Sequence, residues 1–275
     1  MGTAITRRFA VVTGASSGIG FELAKQCVAN NFDVLICAED RGIHEAARHL
    51  GATGAAVVPL RADLATFEGC EKLVAMVNTF VCPLDALLLN AGVGVGGAFV
   101  NNELEDELRM IGLNVNAVVH LAKRLVPRMV TRGAGRILIT ASVASPAPFL
   151  AVYGATKAFD LSFAEALRFE LEDTGVTVTA LQPGATDTEF FQRADMDNTK
   201  VAHDSKDDPA DVARKGFEAM MAGKDKVIAA SFKSKLEGLA DEVLPESTKA
   251  KMQAGQTRPG TGEKHTVLEL SKKLP

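Results

Sequence analysis

Tryptophan is absent from this chain of 275 residues, and tyrosine occurs once, at position 153. Any chemistry asked of a phenol therefore falls on Tyr153. Cysteine is scarce and scattered: Cys27, Cys37, Cys70 and Cys82 form no CxxC pair. That argues against a thiolate metal site and for reduced thiols in a cytoplasmic protein. The histidines, His44, His49, His120, His203 and His265, have no ligand spacing, so no metal is expected. No apolar run approaches the roughly 18 residues of a membrane span, and the N-terminus has no signal-type apolar stretch. Neither sign of charge dominates. A formal net charge of -4 offers no electrostatic attraction for nucleic acid or an anionic membrane surface.

What is present is apolar and periodic. Hydrophobic residues make up 47% of the chain, enough to fill one extended core. Short apolar runs bounded by Gly, Asp or Asn read as buried strands at 9–13, 33–38, 55–61, 84–90, 136–141, 176–181 and 226–230. Helix-period segments lie between them, at 18–30, 42–50, 67–80, 101–130, 152–174 and 209–222. This alternation predicts an α/β fold: a doubly wound (Rossmann) parallel sheet of seven strands, helices on both faces and right-handed crossovers. One domain is expected over residues 1–230, with a partly mobile C-terminal extension over 231–275. The polar stretch 186–208 contains Phe190, Phe191 and Met196 yet has little periodicity, and reads as a long functional loop.

The sharpest local pattern is Thr13-Gly14-Ala15-Ser16-Ser17-Gly18-Ile19-Gly20, which follows the first strand and opens the first helix. Glycines let the backbone turn sharply and approach a pyrophosphate, and a helix N-terminus offers free N–H groups to it. The order strand, glycine turn, helix predicts a dinucleotide site that includes Gly14, Ser16, Ser17, Gly18, Ile19 and Gly20. Past the second strand stands Ala38-Glu39-Asp40-Arg41. An acid there favours a free ribose 2′-hydroxyl, and Glu39 with Asp40 would repel a 2′-phosphate, so NAD is favoured and NADP remains possible.

Tyr153 and Lys157 stand one helical turn apart and project from the same face. An ammonium beside a phenol favours the phenolate, and the charge is expected to hold the phenol below its ordinary value near 10. Ser142 ends a strand at the carboxyl edge of the sheet, where its hydroxyl can meet a substrate oxygen.

The Gly-x-x-x-Gly-x-Gly spacing, the Tyr-x-x-x-Lys pair and their order resemble the short-chain dehydrogenase/reductase family. The resemblance covers roughly residues 7–230 through further motifs. Asp63-Leu64 looks like the family's adenine-binding segment, Asn90-Ala91-Gly92 its strand-end turn, and Pro183-Gly184 with Thr186 and Thr188 its Pro-Gly-x-x-x-Thr segment. The resemblance implies that Thr188 meets the nicotinamide carboxamide and that Lys157 grips its ribose. Asn114, with Asn116 as competitor, would hold a water linking Lys157 to solvent. It implies a homodimer or homotetramer through the 101–130 and 152–174 helices. Relatives place the catalytic serine about thirteen residues before the tyrosine. Ser142 precedes Tyr153 by eleven, and Thr140 sits at the thirteen-residue spacing. Ser142 is preferred because Ala141-Ser142-Val143-Ala144-Ser145 resembles the family's segment, which moves the shortening into Pro146-Ala147-Pro148.

The expected activity is hydride transfer between NAD(P) and a small carbonyl or secondary alcohol, with Asn114, Ser142, Tyr153 and Lys157 as the catalytic set. Phe149, Leu150, Val93 and Val95 suggest an apolar substrate lining. The competing expectation is a catalytically silent dinucleotide-binding regulator or scaffold.

Overall fold

A computed structural model describes residues 7–52, 54–143, 147–230 and 253–262. Among these residues seven strands form one parallel sheet: β1 (Arg8–Thr13), β2 (Phe32–Ala38), β3 (Val57–Arg61), β4 (Leu84–Leu89), β5 (Gly135–Thr140), β6 (Val176–Pro183) and β7 (Lys226–Ala229). Their order is β3-β2-β1-β4-β5-β6-β7. Successive side chains on a strand face opposite sides of the sheet, and both sides here are apolar. Phe9 and Val11 of β1 join one core, and Ala10 and Val12 join the other. Such strands cannot be left half exposed, so helices cover both faces.

The helices are α1 (Gly18–Ala29), α2 (Gly42–Gly51), α3 (Phe67–Val77), α4 (Leu104–Ile111), α5 (Ala117–Arg132), α6 (Ala151–Glu170), α7 (Phe190–Arg193), α8 (Lys200–His203) and α9 (Pro209–Met221). α3, α5 and α6 fill one core, with Leu73, Leu121 and Ala164. α1, α2 and α9 fill the other, with Leu23, Ile43 and Phe217. Local chemistry sets the helix starts: the Thr66 hydroxyl accepts from the N–H of Gly69 at 3.0 Å, and Asp208 caps α9 just ahead of Pro209. The chain reverses direction across the sheet between β1 and β4. In open sheets of this kind the ligand crevice lies outside the carboxyl ends of the strands at that point.

Two expectations change. The segment read as one helix over 101–130 is a 3₁₀ turn (Phe99–Asn101), then α4, then a π-helical turn (Gly112–Asn116), then α5. The π turn adds a residue to the helical ring at Asn114, a distortion that occurs often at functional sites. The 186–208 stretch is not one irregular loop: α7 and α8 lie within it. Phe191, Ala194 and Met196 are buried there against Ala147 and Leu150, forming a third, smaller core. Residues 253–262 of the expected extension pack on this subdomain. Thr257 donates to the carbonyl of Pro148 at 2.6 Å, and the Gly262 N–H to that of Asn198 at 2.9 Å. Residues 231–252 and 263–275 of that extension lie outside the described residues. Among the described residues, no helix is long and apolar enough to cross a membrane.

Candidate active site

An open cleft of about 1580 Å³, its solvent-filled mouth included, runs along the carboxyl edge of the sheet. Gly14, Ser16, Ser17, Gly18, Ile19 and Gly20 line it together with Glu39, Asp63, Leu64, Asn90, Ala91 and Gly92. So do Ser142, Tyr153, Lys157, Pro183, Gly184, Thr186 and Thr188. Of the predicted catalytic and cofactor residues, Asn114 alone stands behind the wall, fully buried; of the predicted substrate lining, Val95 and Phe149 are not part of the wall.

The glycine turn has the shape a pyrophosphate cradle requires. Gly14 and Gly18 adopt φ of 68° and 55°, in the left-handed region that disfavours a Cβ. A Cβ on Gly20 would lie 2.0 Å from the carbonyl oxygen of Gly14, so the first turn of α1 can close on the loop only without one. Ser17 opens α1 in extended backbone and makes no side-chain cap, so its own side chain takes up none of the first-turn N–H groups. These features fit a dinucleotide phosphate.

At the adenosine end, the two acids counted together in the sequence part ways. Asp40 faces inward: Ser16 donates to its Oδ2 at 2.6 Å and the Gly42 N–H to its Oδ1 at 2.8 Å, so it braces the glycine loop. Glu39 and Asp63 are joined by Arg109 of α4, which donates to Glu39 Oε2 at 2.5 Å and Asp63 Oδ2 at 2.9 Å. Arg109 escaped the sequence reading because it lies 70 and 46 residues from its partners. The charge at this end is therefore more even than the local sequence implies.

Across the middle, hydrogen bonds run from strand end to strand end. Thr13 Oγ1 accepts from the N–H groups of Asn90 and Ala91, both at 3.0 Å. The Asn90 amide donates to Thr13 O at 3.2 Å, and its Oδ1 accepts from Thr140 Oγ1 at 3.1 Å. Lys157 Nζ donates to Thr140 O at 2.8 Å. Thr13 is buried and was not anticipated, although its place just before the glycine turn was a usable signal.

At the far end Ser142 and Tyr153 meet through a side-chain hydrogen bond. The Thr140 hydroxyl is directed at Asn90 instead. Asn114 accepts from the Val93 N–H at 3.0 Å, donates to Val93 O at 2.9 Å and to Thr156 Oγ1 at 3.0 Å. Thr156 in turn donates to the Tyr153 carbonyl at 2.7 Å. Asn114 thus ties the loop after β4 to the turn of α6 that presents the tyrosine. The Tyr153 ring lies 5.1 Å from that of Phe190. Val93 and Leu150 line the same end, Phe149 holds φ of 62° beside it, and Pro146 lies outside the described residues.

The electrostatics depart from expectation. Burial pushes the Tyr153 phenol above 10.0, more than the Lys157 charge and the Ser142 hydrogen bond pull it down. Asp160 adds to the rise. Desolvation is the main cause, and Lys157, which still pulls the phenol down, is itself paired, donating to Asp160 Oδ2 at 2.9 Å. Asp160 was legible in principle: 153, 157 and 160 follow i, i+4, i+7 spacing on one helix face. Among the described residues no group of His, Cys, Asp and Glu could hold a metal ion.

Comparison with known proteins shows the family and the fold. The model of the short chain dehydrogenase family matches residues 8–199. A ketoacyl reductase of Nostoc sp. is 30% identical over 185 residues, 66% of this chain. The match spans 64% of that relative's length, just under two thirds. A short-chain dehydrogenase of Sphingobium yanoikuyae, solved with NADPH, superposes with a TM-score of 0.76 at 29% identity, covering 86% of this chain and 94% of that one. A 3-ketoacyl-(acyl-carrier-protein) reductase of Brucella melitensis, solved with NADH, gives 0.73 at 26%, covering 82% and 98%. The chain belongs to the short-chain dehydrogenase family.

Proposed function

We propose that this chain is an NAD(P)-dependent oxidoreductase acting on a carbonyl or secondary alcohol, with Tyr153 as the general acid and base. The observation that carries the reading is the meeting of Ser142, Tyr153 and Lys157 at one end of a cleft whose other end is the glycine cradle. Gly14 to Gly20 would hold the pyrophosphate, Glu39 and Asp63 the adenosine, and Thr186, Thr188 and Lys157 the nicotinamide end. When bound, the nicotinamide supplies or accepts the hydride. Ser142 and Tyr153 both donate hydrogen bonds to the substrate oxygen, which polarises the carbonyl and fixes its distance from the cofactor face. Tyr153 then gives up its proton to the oxygen in reduction, or takes one in oxidation. Asn114 supports this pair through Thr156, and the water relay that family resemblance implies for it remains part of the proposal.

NADH is favoured over NADPH on the argument that Glu39, just past β2, would repel a 2′-phosphate, and Arg109, which pairs with Glu39, would set how large the preference is. The apolar walls from Val93, Leu150 and Phe190 suit a small substrate with an uncharged body. Exposed Leu104, Leu108, Val119 and Phe169, on α4, α5 and α6, support self-association to a homodimer or homotetramer through these helices. Buried Cys27, Cys37 and Cys70, whose thiols burial pushes up to about 12, 12 and 11, suit a cytoplasmic setting. The test is incubation with NADH, NADPH and a panel of carbonyl compounds. Oxidation of reduced nicotinamide, lost in Tyr153→Phe, is expected. Tight nucleotide binding with no turnover across the panel would favour the silent regulator.

A further inference from the structure

Proton transfer through a Tyr-Lys pair gives Asp160 nothing to do, yet Asp160 is among the most deeply buried polar residues described, at 1% exposure. Its Oδ2 accepts from Lys157 Nζ at 2.9 Å, and its Oδ1 has no hydrogen-bond partner. Burying an ion pair with one carboxylate oxygen unsatisfied is costly, and an apolar residue at such a place is often neutral or better for stability. Stability alone does not account for the pair.

The surroundings limit what the charge can act on. β5 contributes the Thr140 carbonyl, and the loop after it the Ser142 hydroxyl. The π turn contributes Asn114, which bears no charge. On α4, buried Glu107 accepts from Asn102 at 2.8 Å. Elsewhere on α6, Arg168 is tied to Val178 O on β6 and to Gly223 O, and Glu165 to Lys226 on β7. Lys157 pulls the phenol down by its charge and Asp160 pushes it up by its own.

We propose that Asp160 is a positioning residue for the proton-transfer pair: it anchors the Lys157 ammonium and offsets its charge, keeping Tyr153 a protonated donor while the nicotinamide end of the cleft is empty. Of the three N–H donors of Lys157, one goes to Asp160 and one to Thr140 O. The third is left for the cleft, so the anchored ammonium can still meet a ribose. This inference rests on the proposed oxidoreductase reading.

Because Tyr153 is the only tyrosine and tryptophan is absent, ultraviolet titration of phenolate in the cofactor-free protein reports this one residue. Asp160→Asn keeps an acceptor for Lys157 and removes the charge. Its phenol midpoint should fall by about one unit or more, the range for an uncompensated neighbouring charge. The alkaline limb of kcat for carbonyl reduction should move with it. A folded Asp160→Asn protein with an unchanged or higher midpoint overturns the proposal, since a purely structural residue would alter melting alone. Should that variant fail to fold, the matched double variant Lys157→Met with Asp160→Leu decides. Removing both members of an offsetting pair should leave the midpoint within about half a unit of native. A rise of about one unit or more, as expected for losing an unopposed ammonium, would overturn the proposal. Failure of the oxidoreductase reading is seen separately, as absence of turnover in the unmodified protein, and leaves the titration valid.

Discussion

Ser142 and Thr140 compete for the same role by sequence spacing, and the structure gives their hydroxyls different partners, so substitution should separate activity from stability. Ser142→Ala removes a hydroxyl that faces the cleft and bonds Tyr153. Loss of one positioned donor to a developing oxyanion lowers kcat by at least about 100-fold, or ~2.7 kcal/mol of barrier. A half-buried serine contributes little to folding, so the melting midpoint should move little. Thr140→Val does the reverse. It leaves Asn90 Oδ1 without its 3.1 Å donor in a strand-end network, costing about 1–3 kcal/mol. At about 2–4 °C per kcal/mol for a domain of this size, the midpoint should fall by several degrees. Lys157 keeps its acceptor, because the acceptor is the main-chain carbonyl of residue 140. Reduced-nicotinamide absorbance with a reducible carbonyl, and thermal melting, are the two assays. A large loss of kcat in Thr140→Val with Ser142→Ala nearly intact would show that the thirteen-residue spacing is the true guide.

Cofactor choice is tested by nucleotide titration: NADH should bind more tightly than NADPH, and Glu39→Arg should narrow or reverse the gap by replacing an acid with a phosphate partner. Tighter NADPH binding to the unmodified protein would defeat that assignment. Gly20→Ala should abolish dinucleotide binding and lower the melting midpoint, because its Cβ meets backbone at 2.0 Å. Gly51→Ala, with nothing within 4 Å, should leave binding intact and hold or raise stability by up to about 1 kcal/mol. The pH dependence follows from the raised phenol. Reduction needs the protonated form, so its Tyr153-dependent loss should appear only as pH climbs past about 10, whereas oxidation, which needs phenolate, should accelerate with rising pH. A reduction rate that falls away through neutral pH, following Tyr153 ionisation, would contradict the burial argument.

The strands were legible because a parallel sheet covered on both faces demands short, continuous apolar runs, and runs such as Leu84–Leu89 satisfy little else. The glycine cradle was legible because its residues are contiguous and its constraint is local. The 101–130 segment misled because the period of an α-helix survives a single added residue on either side of it, and nothing in Gly112–Asn116 announces a π turn. The 186–208 stretch misled for another reason: its helices are four residues each, too short to show a period, and are held by burial of Phe191 and Met196. Arg109 could not be found at all from one sequence. Its partners come from the ends of β2 and β3, and only the folded sheet brings them to α4.

Asp160 shows why two residues on a helix face do not by themselves set the direction of a pKa. Tyr153 and Lys157 were read as a pair, and for a pair the ammonium lowers the phenol. The helix face carries a third group one turn further on, and that acid takes hold of Lys157. Desolvation of the phenol is the largest influence, and Asp160, which opposes the Lys157 charge at 2.9 Å, adds a smaller push in the same direction. The balance favours the neutral phenol, the form that donates to a carbonyl oxygen. The phenolate that oxidation needs would be favoured by rising pH or by a positive charge added to the cleft. On this reading the cofactor-free protein holds Tyr153 in the form that reduction requires, and Lys157 would be the residue through which a bound nucleotide alters that balance.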